Sequence, residues 1–181
     1  MKTHHKSLLA SLILSLVLLG GCTKRYTITC DLHDYFTPDK TCVIGAITDE
    51  LPLGTEEGEK PTAEDIAKFK NYLSEEIERQ DIIKLLGQNA DSTDYEIRGS
   101  VLDYKKGSGV VRAFISVGLG DAKCVMNLRL VDKTTGLTVF GGNFTAIVNS
   151  WTESGDKVYK QVSKDFTKEL KKQLKKLAKE A

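Results

Sequence analysis

The stretch AKCVMNLRLVDKTTGLTVFGGNFTAIVNSW, residues 122–151, decides the fold. Between residues 122 and 131 every second side chain is apolar, with Asn127 and Arg129 on the alternate side, which predicts a strand with one buried face. Residues 132–136 form a predicted hairpin loop in which Gly136 accommodates a positive φ. Residues 137–151 are predicted to return as the antiparallel neighbour, so this part of the chain builds a sheet whose apolar face must be covered by a second layer.

The first covering element is a predicted helix that starts at Thr62, a typical N-cap residue with Asp65 three positions later. Apolar residues then recur at three- and four-residue spacing and predict one buried face: Ile66, Phe69, Leu73 and Ile77. Two endings are open. Either the helix stops near Gln80 and residues 82–86 form a short strand, or it continues until Gly87 ends it.

The second covering element is a predicted helix over residues 158–177. An almost unbroken apolar stripe gives it one buried face: Val158, Val162, Phe166, Leu170, Leu174 and Leu177. Lysines occupy its other faces: Lys160, Lys164, Lys168, Lys171, Lys175 and Lys179. Their concentration near the carboxyl end suits the helix dipole. They fit the solvated side of a packed helix better than a binding site for anionic lipid or lipopolysaccharide.

The remaining strands complete the fold class. Residues 26–30, 41–47, 95–104 and 110–117 are rich in β-forming side chains and are bounded by turn signals. The predicted element order is β-β-α-β-β-β-β-α. This order indicates a two-layer α+β domain with a mainly antiparallel sheet, an amphipathic helix before the meander and a long C-terminal helix.

The composition limits the kinds of partner. The chain has 181 residues and a formal net charge of +1, from 26 basic and 25 acidic side chains. Such a near-neutral balance argues against a dedicated nucleic-acid binder, which is usually strongly basic. The charges are unevenly placed, because residues 49–65 are rich in acids and residues 164–179 are rich in lysine.

The amino terminus reads as a targeting segment. A basic start is followed by an apolar run over residues 8–19 that is too short to span a bilayer, since a spanning helix takes about 20 apolar residues. Small residues then precede Cys22, which fits a cleavage site. Residues 19–22 resemble the lipobox of bacterial lipoproteins, whose cysteine is acylated and becomes the mature amino terminus. The predicted organisation is a signal peptide over residues 1–21, a tether and strand segment over 22–40 and a single α+β domain over 41–181, with no second membrane segment.

Three cysteines follow Cys22. A Cys30–Cys42 disulfide is the simplest pairing, and closing a loop of about a dozen residues would stabilise the fold by on the order of 3 kcal/mol. Cys124 is then a free, buried small hydrophobe on a strand, although its pairing with either of the others stays open. No metal site is predicted, because there is no C-x-x-C pair and His33 is the only histidine after the targeting segment.

A glycine-bounded arrangement marks the centre of the chain: Gly107-Ser108-Gly109, Arg112, Gly118-x-Gly120 and Val131-Asp132-x-x-Thr135-Gly136. Over roughly residues 41–177 this order resembles a family of Gram-negative lipoproteins built on a domain of unknown function. That family is similar in outline to the periplasmic domain of the curli-secretion channel lipoprotein and to the amino-terminal domain of the translocation protein TolB. The resemblance implies cell-envelope assembly or scaffolding, with no chemistry. Thr23 in place of aspartate after the cysteine implies sorting to the outer membrane, as in enteric lipoproteins.

Four residues are candidate binding residues. Arg112 can bind an anionic group with its bidentate fork or tie a glycine turn through backbone carbonyls, and the structural role is favoured. Gly118 and Gly120 fit a bulge or a close backbone approach better than a phosphate cradle, since strand and not helix is predicted to follow. Trp151 ends a strand, either as an anchor for a partner or the lipid interface or as a side chain that caps the core.

The sequence predicts no enzyme and no cofactor, because it lacks a G-x-S-x-G elbow, an H-E-x-x-H pair and a P-loop. We therefore expect an outer-membrane lipoprotein, anchored through Cys22 and facing the periplasm. It would act as a non-catalytic assembly or interaction module, with another envelope protein as partner. The alternative is a periplasmic carrier that holds a lipid or a small envelope ligand between helices and sheet. An envelope hydrolase is a third hypothesis, which needs clustered carboxylates or His33 in a cleft.

Overall fold

The structure, a computed structural model, describes residues 26–30, 39–56, 60–86, 92–106, 122–148 and 156–180. These residues form one sheet and two long helices: β1 (Tyr26–Cys30), β2 (Thr41–Asp49), α1 (Ala63–Gln80), β3 (Lys84–Leu85), β4 (Tyr95–Lys105), β5 (Ala122–Asp132), β6 (Thr138–Val148) and α2 (Lys157–Glu180). The strand predicted over residues 110–117 lies outside the described residues. Within the described ranges, neither helix has the length and apolar character that crossing a membrane requires.

The sheet combines an antiparallel meander with one parallel edge. Its strands lie in the order β1-β6-β5-β4-β2-β3. Strands β4, β5 and β6 form the predicted meander, and β1 adds antiparallel to β6. Strand β2 runs parallel to β3 and β4, because α1 returns the chain across one face of the sheet before the next strand begins. The predicted α+β class with a mainly antiparallel sheet is confirmed.

The turn between β5 and β6 forms where the sequence predicts it. Asp132 Oδ1 accepts hydrogen bonds from the backbone N–H groups of Thr134 at 2.8 Å and Thr135 at 3.0 Å, and Gly136 has a φ of 72°. The resulting register places Met126 opposite Phe144, and both side chains are fully buried. The predicted apolar face of this hairpin is therefore the core face of the sheet.

Helix α1 has a reciprocal N-terminal cap. The Thr62 side chain accepts from the backbone N–H of Asp65, and the Asp65 carboxylate accepts from the backbone N–H of Thr62 at 2.9 Å. The helix ends at Gln80 because Asp81 adopts a left-handed conformation with a φ of 50°. Lys84–Leu85 then joins β2 as a short strand. Of the two predicted endings, the structure has the shorter helix followed by a strand.

Both helices pack on the same face of the sheet. Phe166 of α2 contacts Phe140 and Phe144 of β6, with ring centroids 5.5 and 5.4 Å apart. Leu73 of α1 and Leu170 of α2 are also fully buried. The opposite face is polar at its centre, where Asn127 donates to Asn143 at 2.7 Å. One covered face and one polar face make the predicted two-layer arrangement.

The position of β1 contradicts the expected Cys30–Cys42 disulfide. Strand β1 is the far edge of the sheet, and β6, β5 and β4 lie between it and β2. Four strand intervals of about 4.8 Å put the two backbones on the order of 19 Å apart, whereas a disulfide needs Cα atoms within about 7 Å. Cys42 is accordingly a free, buried thiol, and the prediction that Cys124 is free and buried is confirmed. Strand β1, assigned above to the segment before the domain, belongs to the same sheet.

Candidate functional site

The residues singled out by the sequence lie mostly beyond what the structure describes. Cys22, Arg112, Gly118, Gly120 and Trp151 are all outside the described residues. Their proposed roles in lipidation and binding therefore stay predictions. The functional surfaces that the structure does describe are built from other residues.

The two described thiols are poor candidates for chemistry. Burial raises the pKa of both Cys42 and Cys124 to about 12. A thiol acts as a nucleophile or metal ligand in its deprotonated form, and almost none of that form exists near neutral pH at such a pKa. Within the described ranges, no three His, Cys, Asp or Glu side chains are arranged to hold a metal ion.

A buried polar contact joins α2 to the end of β4. The Tyr159 hydroxyl donates to the Tyr104 hydroxyl at 2.9 Å, and the two rings are stacked with centroids 6.3 Å apart. Burial is the main cause that raises the pKa of Tyr104, and it also raises the pKa of Tyr159. Both phenols therefore stay protonated and serve as hydrogen-bonding groups of the core.

A second polar cluster fixes β1 to α2. The Tyr26 hydroxyl donates to Glu169 Oε2 at 2.8 Å. The other oxygen of Glu169 accepts from Gln173 Nε2 at 3.0 Å and from Lys172 Nζ at 3.2 Å. Tyr26 also packs on Phe144, with ring centroids 5.7 Å apart. The first residue of the edge strand is thus held to the middle of α2 by both apolar and polar contacts.

The electrostatics of this cluster favour an ionised carboxylate. Burial pushes the pKa of Glu169 up, but the hydrogen bonds from Tyr26, Gln173 and Lys172 outweigh burial, and the net pKa is lowered. The same hydrogen bond is the largest cause that raises the pKa of Tyr26 to about 12. The pair therefore holds a negative charge on Glu169 and a proton on Tyr26 over the whole physiological pH range.

A broad open groove of about 770 Å³ surrounds this cluster. Tyr26, Gln80, Glu169 and Gln173 line it together with six lysines: Lys168, Lys171, Lys172, Lys175, Lys176 and Lys179. On the α1 side, Lys171 Nζ donates to the backbone carbonyl of Gln80 at 2.9 Å. We call this surface the basic groove. Its chemistry suits a large anionic partner more than a small apolar ligand.

A smaller depression of about 150 Å³ lies between α1 and the β2–β3 edge. Polar and apolar side chains line it in mixture: Val43, Ile44, Lys70, Asn71, Ser74, Glu78, Leu85 and Leu86. It is open to solvent, and its volume is below the range of about 300–1,000 Å³ that is typical of small-molecule sites.

Sequence reasoning missed the role of Glu169. This residue is the only acid among residues 168–179, in a run otherwise dominated by lysine. Its side chain is 3% exposed, whereas that of neighbouring Lys172 is 71% exposed. An isolated acid beside the apolar stripe is a usable signal for an internal contact. Its partner, Tyr26, lies 143 positions away in sequence, so the local pattern could not supply it.

Family comparison agrees with this architecture. The fold is a two-layer α+β domain with a meander, and residues 45–149 match the model described as Domain of unknown function (DUF4410). The chain belongs to this family. No curated protein is significantly similar to the chain in sequence.

Solved structures share the fold at low sequence identity. The chain is similar to PelC from Paraburkholderia phytofirmans, a dodecamer, at 14% identity and a TM-score of 0.54, covering 78% of this chain and 94% of PelC. It is also similar to a Xanthomonas campestris protein of the DUF330 family, at 11% identity and a TM-score of 0.52, covering 85% and 97%. Lipoprotein GNA1162 from Neisseria meningitidis matches at 13% identity, 64% and 85% coverage and a TM-score of 0.40.

Proposed function

We propose that this protein is a lipoprotein of the Gram-negative outer membrane, anchored through Cys22 and facing the periplasm, that works as a non-catalytic assembly or interaction module. The observation that carries the proposal is the filled interior between helices and sheet. Phe140, Phe144, Phe166, Leu170 and Met126 meet there with no exposed surface. A domain with a solid core acts through its outer surface, and the lipobox-like residues 19–22 supply the tether.

The filled core counts against the carrier hypothesis. A carrier for a lipid needs an apolar cavity between the two layers, of at least a few hundred Å³. In the described part of the chain, the space between α2 and the sheet is taken up by aromatic and aliphatic side chains. The basic groove and the smaller depression described above are both open to solvent, and neither is enclosed between the two layers; charged side chains surround the first, and polar and apolar side chains line the second in mixture.

Three of the buried carboxylates have structural roles, which supports a non-catalytic function. Asp65 caps α1, and Glu169 holds Tyr26. Asp132 shapes the β5–β6 turn through its contacts with Thr134 and Thr135. Each of these three carboxylates accepts hydrogen bonds that hold backbone or secondary-structure elements together, as expected of a structural framework. Another buried carboxylate, Asp165, accepts from Gln161 through Oδ1, and its Oδ2 has no hydrogen-bond partner among the described residues.

The open edge of β2 is the described surface best suited to protein partners. Strand β3 pairs only with Thr41 and Cys42, so the β2 edge from Val43 to Asp49 has no strand partner among the described residues. An unpaired edge of this length can accept a strand from another chain. PelC, similar in fold, is a dodecamer, so a second copy of this chain is one partner to test alongside other envelope proteins.

Crosslinking in living cells tests the proposal. A photoreactive residue is placed at Ala46 on the β2 edge or at Arg112, with Lys160 on the outer side of α2 as the matched exposed control. We expect one dominant protein adduct from Ala46 or Arg112 and none from Lys160. A pattern that is the same at all three positions would overturn the interaction role.

The anchor is tested separately. Membrane fractionation and mass measurement of the amino-terminal peptide should find acylated Cys22 in the outer membrane, and Cys22→Ser should release the protein. A wild-type protein that is soluble in cells that process other lipoproteins normally would contradict the anchor.

A further inference from the structure

The outer side of the carboxyl half of α2 is strongly basic. Residues 168–179 hold six lysines and a single carboxylate, Glu169. That carboxylate is buried beneath the lysines and already accepts hydrogen bonds from Tyr26, Gln173 and Lys172. Four of the lysines form no ion pair with any described residue: Lys168, Lys175, Lys176 and Lys179. The surface therefore presents unbalanced positive charge to its surroundings.

The chain enters the domain beside this charge. Tyr26, the first residue of β1, lines the basic groove and is fixed to α2 through Glu169. Cys22 is only four positions earlier, and the positions between include Lys24 and Arg25. Four residues span at most about 14 Å even when fully extended. A lipid anchor on Cys22 would therefore hold the membrane surface within about 14 Å of Tyr26.

Electrostatic attraction acts over a comparable distance. The Debye length at physiological ionic strength is about 8 Å. Each basic residue brought to an anionic lipid surface strengthens membrane partitioning by about fivefold. A short tether makes this contact intramolecular, so even a modest attraction fixes the orientation of the domain.

We propose that the lysines of the basic groove dock on the anionic phospholipid headgroups of the membrane that holds the protein, and so orient the domain on the bilayer. This inference rests on the Cys22 anchor of the proposed function. In this orientation α2 and the β1 edge face the lipid. The open part of β2 lies at the opposite edge of the sheet and points away from the membrane towards partners. The alternative, a lysine face that is merely solvated, is an outcome of the test below.

The test uses the full-length lipidated protein reconstituted in two kinds of vesicle. One contains phosphatidylcholine alone, and the other contains phosphatidylcholine with one-third phosphatidylglycerol. A water-soluble acylating reagent then modifies exposed lysines, and mass spectrometry measures the extent at each position. The mass of the amino-terminal peptide reports in the same experiment whether Cys22 carries lipid.

Docking predicts a local and salt-sensitive protection. In the anionic vesicles the reactivity of Lys168, Lys175, Lys176 and Lys179 should fall by about fivefold, and high salt should restore it. Lys84, on the opposite edge of the sheet, and Lys133, in the β5–β6 turn, should react equally in both vesicles. Equal reactivity of all these lysines in both vesicles would overturn the docking while leaving an acylated Cys22, and with it the anchor, intact. An unmodified Cys22 would instead contradict the anchor itself.

A matched pair of triple variants sharpens the result. In the variant with Lys175→Gln, Lys176→Gln and Lys179→Gln, the remaining unpaired lysine of the groove, Lys168, should lose its protection in anionic vesicles. A control with three other exposed lysines replaced keeps the same total charge: Lys84→Gln, Lys133→Gln and Lys157→Gln. Protection that persists in the first variant, or disappears equally in both, would show that the basic groove is not the contact.

Discussion

The two halves of α2 continue one apolar stripe but are held in different ways. In the first half, Phe166 and Leu170 are fully buried, and even Ser163 and Thr167 are buried, with their hydroxyls donating to backbone carbonyls one turn earlier. In the second half, Leu174 and Leu177 of the same stripe are only partly buried. The change comes where Lys171 meets Gln80, the last residue of α1. The first half is packed core, and the second half is available for contacts outside the domain.

The largest difference in the free energy of unfolding is expected between alanine substitutions at Leu170 and at Leu177. Leu170→Ala should lower the free energy of unfolding by about 3 kcal/mol, because it opens a cavity in a filled core. Leu177→Ala should lower it by less than about 1.5 kcal/mol, since its side chain is already partly exposed. Urea unfolding measures both values, provided that the dependence of the free energy of unfolding on urea concentration is the same in the variants as in the wild type. Equal losses would show that the second half is packed as firmly as the first.

The attachment of β1 should show the next largest effect. A Cβ added at Gly142 would lie 2.5 Å from the backbone carbonyl oxygen of Thr27, so Gly142→Ala must push β1 away from β6. We expect a loss of about 1–3 kcal/mol and faster amide exchange in β1. Gly141→Ala is the comparison, because its nearest contacts are at 3.1 Å and include a flexible part of Arg129. Unchanged exchange in β1 of the Gly142 variant would contradict the pairing.

Tyr26→Phe tests the polar link between β1 and the second half of α2. Removal of the hydroxyl should cost about 1 kcal/mol at neutral pH. The pKa of Tyr26 is raised to about 12 in the folded protein, above its unfolded value near 10. Its stabilisation is therefore fully present below about pH 10 and is lost as the pH rises through about 12.

The gap in stability between wild type and Tyr26→Phe should accordingly narrow across that alkaline range, as measured by urea unfolding at a series of pH values. Comparison of the two proteins at each pH removes the effect of the lysines, which titrate in the same range and are common to both. A gap that is constant with pH would mean that the hydroxyl is not tied to Glu169.

The smallest effect on stability is expected from substitutions on the outer side of the second half of α2. Lys175→Gln combined with Lys179→Gln should change stability by no more than about 0.5 kcal/mol, because both side chains are exposed. The slight loss that remains comes from the helix dipole, which favours positive charge at this end. Thermal unfolding measures it. A large loss would assign these lysines to the fold and weaken the docking inference.

Local patterns predicted the elements well because each rests on neighbouring residues. The alternation around Met126 and Leu128, the cap at Thr62 and the turn at Gly136 all appear where expected. The end of α1 was ambiguous, since Gln80 and Gly87 are both acceptable ends, and the left-handed Asp81 settled it. Such a conformation at a residue other than glycine leaves only a weak trace in sequence.

Long-range pairing was the part that the sequence could not supply. Proximity in the chain favoured a link between Cys30 and Cys42, yet β1 pairs with Gly142 and its neighbours at the far edge of the sheet. The candidate site shows the same limit, because the basic groove depends on the contact between Tyr26 and Glu169. The candidates named from sequence, Arg112 and Trp151 among them, lie outside the described residues.

The sequence by itself determined the α+β class, the two amphipathic helices, the buried face of the hairpin and the expectation of a lipid anchor at Cys22. These features depend on periodicity, capping and spacing, which are local properties of the chain. Only the tertiary structure decided which strand is the free edge, that Cys42 is an unpaired thiol and that Glu169 holds Tyr26 beneath the lysines. The physical reason is that each of these depends on which distant segments share the core, and that is set by packing of the whole domain.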